Sequence, residues 1–416
     1  MLRVDRICVI IFIFAFAMLI PGVKLMRYAD ELATLALAAV ATLDCVVNHN
    51  WRRYKLLWIM MAIMTGYLLY SLLLPYNTPR AIALDWLIQL KPFIPFVVTL
   101  AVAPEFTSAE RVAIKIISVI NVAIIPVIWA LGDDAIVDTI QHPSYLGITT
   151  FVSASAFYFA SIEPDGRVSP TSLVITVIML AVGLTGGRSK YFGSVVFATF
   201  MLVFYTPHMM KRFGRIAIIS WGVVIGLVLL VGWHKFEEYF LAGDTSRIDT
   251  EMISTIARPM LYAVGGMILI DHIPLGSGLA SFASFASADS YSEIYHIYKL
   301  DKVWGLSPEM PEFICDAFYP SLAQFGIVGI ALFGWFWLYV AKMLRALVRT
   351  DSAQSGKLFA LAWTLIVFLL IESVASTTFV QSGGLLCMML LAMICARSPI
   401  VINSENQTTV CNEPTK

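Results

Sequence analysis

Residues 358–376 read LFALAWTLIVFLLIESVAS, an apolar run in which Glu372 is the one charge. A bilayer core needs about 20 mostly apolar residues per helix, with a lower limit near 17, and this stretch meets it. Comparable runs occupy 7–23, 32–47, 57–74, 83–103, 112–131 and 144–162, and then 172–186, 191–206, 216–232, 320–341 and 383–396. The runs at 172–186 and 383–396 are short, so they extend into polar neighbours or re-enter the bilayer. Gly186-Gly187 and Gly383-Gly384 interrupt the apolar pattern and limit where those spans end. Strands of a membrane barrel would instead alternate over about 10 residues. The expected fold class is therefore an all-α polytopic membrane protein with about twelve transmembrane helices.

Composition agrees. Of 416 residues, 59% are hydrophobic and 13% charged, with mean hydropathy +0.80, against roughly 45–50% and 25% in a soluble domain. The 28 Lys+Arg balance 28 Asp+Glu, and without a basic excess there is no footprint for nucleic acid. Six cysteines are scattered without metal spacing or a disulfide framework. Most lie in or beside apolar runs, where a small buried hydrophobe suffices.

Cytoplasmic loops carry the excess of Lys and Arg. With the N-terminus inside, Arg52, Arg53, Lys55, Arg111, Lys115, Arg167, Lys211, Arg212, Arg215, Lys342, Arg345, Arg349 and Lys357 all fall inside. The 132–143 connection, with Asp133, Asp134 and Asp138, then lies outside, and both termini are cytoplasmic. No small-residue cleavage site follows the first run, which ends at Pro21-Gly22-Val23-Lys24, so it is retained as a span. Four segments result: a bundle of spans 1–9 over 1–232, an outer loop over 233–319, spans 10–12 over 320–397, and a polar tail over 398–416 with the composition of a disordered segment.

The outer loop is too long for a simple connector, and such loops carry sites. Within it, Ile256 to Ile270 has helical spacing and opens with Arg258-Pro259. Asp271-His272-Ile273-Pro274 stops that helix, and Leu275-Gly276-Ser277-Gly278 makes a turn, which lacks the strand and acid of a dinucleotide fingerprint. Charges inside the spans are few: Asp44, Asp85, Lys91 and Glu372 form no chain across the membrane, as a coupled transporter would require.

Polar weight instead gathers at the outer surface. Thr185-Gly186-Gly187-Arg188-Ser189-Lys190 joins two spans through a tight turn. Arg188 offers a planar fork suited to phosphate or pyrophosphate, with Lys190 beside it and glycines that admit backbone amides to the same anion. Alternatively, the two cations anchor helix ends by snorkelling. Arg247 and Arg258 either complete a clamp on that anion or pair with Asp249 and Glu251 on the surface. Glu312 and Asp316, four apart, either share a helix face and accept a proton from a hydroxyl or act as helix N-terminal acids. His142, His272 and His296 are also placed outside, without metal-ligand spacing.

Three of these stretches, in this order, resemble a known family. T-G-G-R-S-K-Y-F-G at 185–193, the Arg258-Pro259-Met260-Leu261-Tyr262 helix with its Pro274–Gly278 turn, and Asp316-Ala317-Phe318-Tyr319-Pro320 through Gly329 are similar to the polymerase/ligase superfamily of bacterial surface polysaccharides. That superfamily includes Wzy-type O-antigen and exopolysaccharide polymerases and the O-antigen ligases; the resemblance covers roughly residues 140–345. It implies transfer of a polyprenyl-diphosphate-linked oligosaccharide on the periplasmic face of the bacterial inner membrane, without metal or cofactor. Membrane lipid and a chain-length regulator are the other implied partners. Arg188 and Arg258, supported by Lys190 and Arg247, would bind the diphosphate and stabilise it as leaving group. An acceptor hydroxyl would attack the anomeric carbon with inversion. Ligases of the superfamily typically carry a His before the re-entering span, where this chain has Cys315-Asp316. That favours a polymerase, with Asp316 as first choice of base and Glu312 and His272 behind it. A ligase and a flippase or transporter are the competing readings.

Overall fold

A computed structural model describes residues 3–19, 29–131, 144–205, 250–350 and 352–402. Helices α1 (Val4–Ala17), α2 (Ala29–Asn48), α3 (Lys55–Leu72), α4 (Pro79–Leu90) and α5 (Phe93–Val102) come first. They are followed by α6 (Ser108–Ala130), α7 (Ser144–Ser161), α8 (Pro170–Val182) and α9 (Ser189–Phe204). After α10 (Thr250–Asp271) come two short helices, α11 (Phe285–Asp289) and α12 (Glu293–Ile297). The last three are α13 (Gly326–Val348), α14 (Ala353–Glu372) and α15 (Ser382–Cys395). Among the described residues there is no strand beyond one isolated bridge, Ser307 to Met310.

Within the described residues, every predicted span except 216–232, which lies outside them, overlaps a helix or the bent pair α4–α5. A helix is not yet a crossing. Four are long and apolar enough to cross a membrane: α3 with the turn before it, α6, α13 with the turn before it, and α14. The α4–α5 pair, bent by 41°, makes a fifth. Its bend falls at Lys91-Pro92, where the proline lacks the N–H that would continue the helix. The local signals are legible elsewhere too. Thr78 caps α4 by accepting from Ala81 N, with Pro79 at the first helical position, and Ser169 with Pro170 does the same for α8.

The helices alternate between two ends. At the far end, Arg6 meets Glu110, Arg53 donates to the Ala101 and Val102 carbonyls, and Ser398 donates to the Met343 carbonyl. At the opposite end sit residues 271–326, the 183–190 turn and the 373–381 connection, and this is the cap end. Helix α15 is apolar and buried from Gly383 to Cys395, the pattern of a helix surrounded by others. With 14 residues it is roughly 21 Å long. The connection above it therefore reaches down, and Phe379 packs against Phe93, Phe318 and Phe333.

The cap has a core of its own. Ala257, Leu261, Val264 and Ile268 line one face of α10 and pack with Phe282, Ile294, Tyr295, Leu306 and Ile314. A joint then fastens it to the bundle: Tyr67 donates to the Phe325 carbonyl and Tyr70 to that of Gly276, both at 2.8 Å, while Ser71 Oγ accepts from Leu279 N at 2.7 Å. Asp85, fully buried, accepts from Ala280 N at 2.7 Å. Gly278 N donates to the Gln324 carbonyl and Val328 N to that of Pro274, so residues 274–278 lie backbone to backbone against 324–328. Gly276 (φ +82) allows this, because a Cβ there would overlap Gly326 N and the Ala323 carbonyl. Gly276→Ala is expected to destabilise the protein by about 1–3 kcal/mol through strain and overpacking. Thermal unfolding in detergent measures it; an unchanged midpoint would contradict the close approach.

Candidate functional site

The site is assembled around the end of α14. Glu372, the last residue of that helix, is 3% exposed. The Lys190 ammonium lies 2.7 Å from its Oε2 and also donates to the Ala375 carbonyl at 2.9 Å. Lys190 is held in place by its neighbour: Tyr191, buried, shares a 2.8 Å hydrogen bond with Thr150 and donates to the Leu180 carbonyl. Gly183 leaves room for that ring, since a Cβ there would overlap both Thr150 Oγ1 and Tyr191. Half-buried Arg188 directly precedes the first turn of α9. The 185–190 turn is thereby fixed beside the end of α14.

The cap helix arrives from the other side. Arg258 Nε donates to Asp316 Oδ2, both side chains being mostly buried. One turn on, Tyr262 donates to the Val374 carbonyl at 2.7 Å. Phe318 N donates to the Ser373 carbonyl and Tyr319 to that of Leu370. Burial raises the Tyr262 phenol above its ordinary range, with Tyr319 and Asp316 adding to the effect and Arg258 opposing it, so it remains a donor. Lys190 contacts Glu372 and Ala375 directly, while the Arg258–Asp316 pair is tied to residues 373–374 through Tyr262 and Phe318, each cation lying beside a carboxylate. Cations with exchangeable carboxylate partners can accept an anion and release a proton acceptor in one event.

Several expectations need correction. Arg258 does not open its helix: α10 is already helical from Thr250 and carries Pro259 inside it, because a proline that forfeits one bond can be tolerated within a packed helix. Glu312 and Asp316 do not share a helix face. Residues 311–316 form consecutive turns, with Ile314 N bonded to Pro311 O and Asp316 N to Phe313 O. The turns direct Ile314, fully buried, into the cap core. Glu312 is exposed. His272 closes the far end of α10, its Nε2 3.1 Å from the Tyr76 hydroxyl. At 1.5 Å per residue it stands roughly 20 Å along the helix from Arg258. His296 pairs with Asp301 at 2.9 Å. Arg247 and His142 lie outside the described residues.

What the sequence reading missed is pairing. Lys91, at the bend of α4–α5, has Asp30 at 2.8 Å and Glu31 at 2.6 Å. Asp30 is buried, and its Oδ1 lacks a hydrogen-bond partner among the described residues. Asp44, at the far end, accepts from Tyr54, Asn48 and Asn50. A lone charge in an apolar run signals that a partner exists, and that was the available clue for Glu372 and Lys91. Among the described residues no three His, Cys, Asp or Glu converge as a metal site would need.

Cys315, beside Asp316, is partly buried. Burial, with smaller contributions from the Asp85 and Asp316 charges, pushes its thiol up to about 12. Raising a thiol disfavours the thiolate, so Cys315 contributes stability below about pH 9 that is lost as pH rises toward about 12. A small alkylating reagent is expected to leave Cys315 unmodified at pH 8 in the folded protein and to modify it after unfolding. Peptide mass spectrometry reads the difference, and rapid native labelling would contradict the burial.

No protein-family model matches the chain, and no curated protein matches it.

Proposed function

We propose that the chain is a glycosyltransferase that joins polyprenyl-diphosphate-linked oligosaccharide repeat units into a surface polysaccharide. In this reading it is a multi-pass protein of the bacterial inner membrane, with both termini cytoplasmic and the cap end periplasmic. The observation that carries the reading is that Lys190, paired with Glu372, and the Arg258–Asp316 pair, tied in through Tyr262 and Phe318, are both attached to the segment just past α14; Lys190, Arg258 and Asp316 lie in the segments that carry the family resemblance.

The donor diphosphate takes Arg258 from Asp316, with Arg188 and Lys190 on its other side. Asp316, released, accepts the proton of an acceptor hydroxyl. That oxygen forms the new bond to the anomeric carbon as the carbon–oxygen bond to the diphosphate breaks, and the electron pair leaves on the diphosphate. Fixed cations where charge develops supply the main rate term, since they need no reorganisation. Asp316 is favoured over Glu312 and His272 because it alone of the three contacts a diphosphate-binding residue.

One observation favours a second reading. Lys91 with Asp30 and Glu31, at the bend of a discontinuous span, is the kind of intramembrane charge cluster that transporters use. Deleting the gene in its host separates the readings. A single repeat unit on the lipid anchor with the ladder lost is expected for a polymerase. Full-length chains held on polyprenyl diphosphate would indicate a ligase, and precursor retained on the cytoplasmic face would indicate a transporter.

A further inference from the structure

Helix α10 buries one face in the cap core through Ala257, Leu261, Val264 and Ile268. The opposite face is also apolar. Ala263, Gly266, Met267 and Ile270 share this face, related by steps of three and four, Ile273 follows just past the helix end, and all five are exposed, Ile270 at 69%. A Cβ added at Gly266 would meet nothing within 4 Å. Single exposed apolar side chains need no explanation, but an aligned stripe does.

The position of α10 says what covers it. At its middle, Tyr262 bonds to the Val374 carbonyl just past α14. Beyond its last residue, Gly276 accepts from Tyr70 in the last turn of α3, and Pro274 accepts from Val328 in the first turn of α13. All three partners are cap-end termini of helices long enough to cross the membrane. The helix therefore lies across the span ends, close to the membrane plane, not upright in the aqueous phase. The α3 terminus exposes Leu69, Leu72 and Leu73, the last at 84%, and the α13 terminus exposes Ile327, Val328 and Ile330. Ile270 and Ile273 continue that outward apolar surface.

We propose that α10 is an interfacial helix whose Ala263–Met267–Ile270–Ile273 stripe is immersed in the hydrocarbon of the adjoining bilayer leaflet. An amphipathic helix so placed buries its apolar face about 5–10 Å into the boundary between head groups and acyl chains. Arg258 and Tyr262 lie on the flank between the two faces, at the depth of lipid phosphates. A lipid-borne anion then reaches Arg258 without leaving the membrane. The proposal rests on the span ends and the exposed stripe and stands whether or not glycosyl transfer is the reaction.

The test uses the full-length protein in phosphatidylethanolamine–phosphatidylglycerol liposomes, with Cys411→Ser and single spin-labelled cysteines at Met267→Cys, Ile270→Cys and Ile273→Cys. Collision with oxygen reports hydrocarbon, and collision with a water-soluble nickel chelate reports the aqueous phase. Leu69→Cys supplies the lipid reference and Glu309→Cys, exposed on the cap, the aqueous one. The three stripe positions are expected to match Leu69, with oxygen collisions raised and nickel collisions lost relative to Glu309. Values matching Glu309 would overturn the proposal. So would protection from both reagents, which would mean that protein covers the stripe. Ala263→Cys, on the same face, replaces any labelled variant that does not insert.

Discussion

Arg258→Ala is expected to abolish chain extension, lowering the rate by about 10²–10³-fold, the range seen when one donor to developing negative charge is removed. In the proposed mechanism the side chain has two tasks. It supplies a cation to the diphosphate, and through Nε it holds Asp316, a contact that the substrate would release. Alanine loses both. Arg258→Lys keeps the charge but presents a point donor where the guanidinium presents a fork, so recovery should be small. Asp316→Asn keeps the shape while removing the proton acceptor, and it should leave donor binding while stopping transfer. Polysaccharide ladders, with membrane levels of each variant checked by immunoblot, measure all three. A full ladder from Arg258→Ala would remove Arg258 from the mechanism.

The second large effect concerns stability. Glu372 is almost wholly buried and Lys190 is mostly so. Removing one member of a buried pair strands the other charge, at a cost of about 3–5 kcal/mol. Lys190→Ala and Glu372→Ala should each lower the unfolding midpoint in detergent strongly. Lys190→Met with Glu372→Leu should recover most of that loss, because well-packed apolar groups of similar volume replace a buried pair at little cost. If Lys190 also serves the diphosphate, the double variant regains its unfolding midpoint but not its activity. That split separates a positioning pair from a purely structural one. Unchanged midpoints in both single variants would place the pair in solvent.

Sequence and structure agree where one dominant force decides. Apolar runs report helices, so 358–376 and its counterparts are found where expected among the described residues. Apolar length does not report crossing. Helices α1, α8, α9 and α15 fall short of a bilayer thickness, and whether neighbouring segments complete them depends on tertiary packing. The cap helix was legible from Ile256 onward because its spacing is regular there. That it is already helical from Thr250 was not, since proline is ordinarily a boundary.

The candidate site was legible by residue type more than by geometry. Arg188, Lys190 and Arg258 stand out as cations beside glycine or proline, but which carboxylate meets which cation is set by contacts far along the chain. Lys190 and Ala375 are 185 residues apart, and Arg258 and Asp316 are 58 apart. Glu372 read as an isolated intramembrane acid until Lys190 was seen against it. His272, which stood behind Asp316 as a candidate base, closes the end of α10 and lies some fourteen residues along it from the Arg258 that holds Asp316.

Reconstitution tests the central claim most directly. The purified protein in proteoliposomes, given a polyprenyl-diphosphate-linked repeat unit and no other enzyme, should convert it into a ladder of longer glycans and release free polyprenyl diphosphate. The same vesicles with Arg258→Ala should leave the repeat unit unchanged. If the wild-type protein moves the intact lipid between leaflets without lengthening the glycan, the account is wrong and the chain is a transporter.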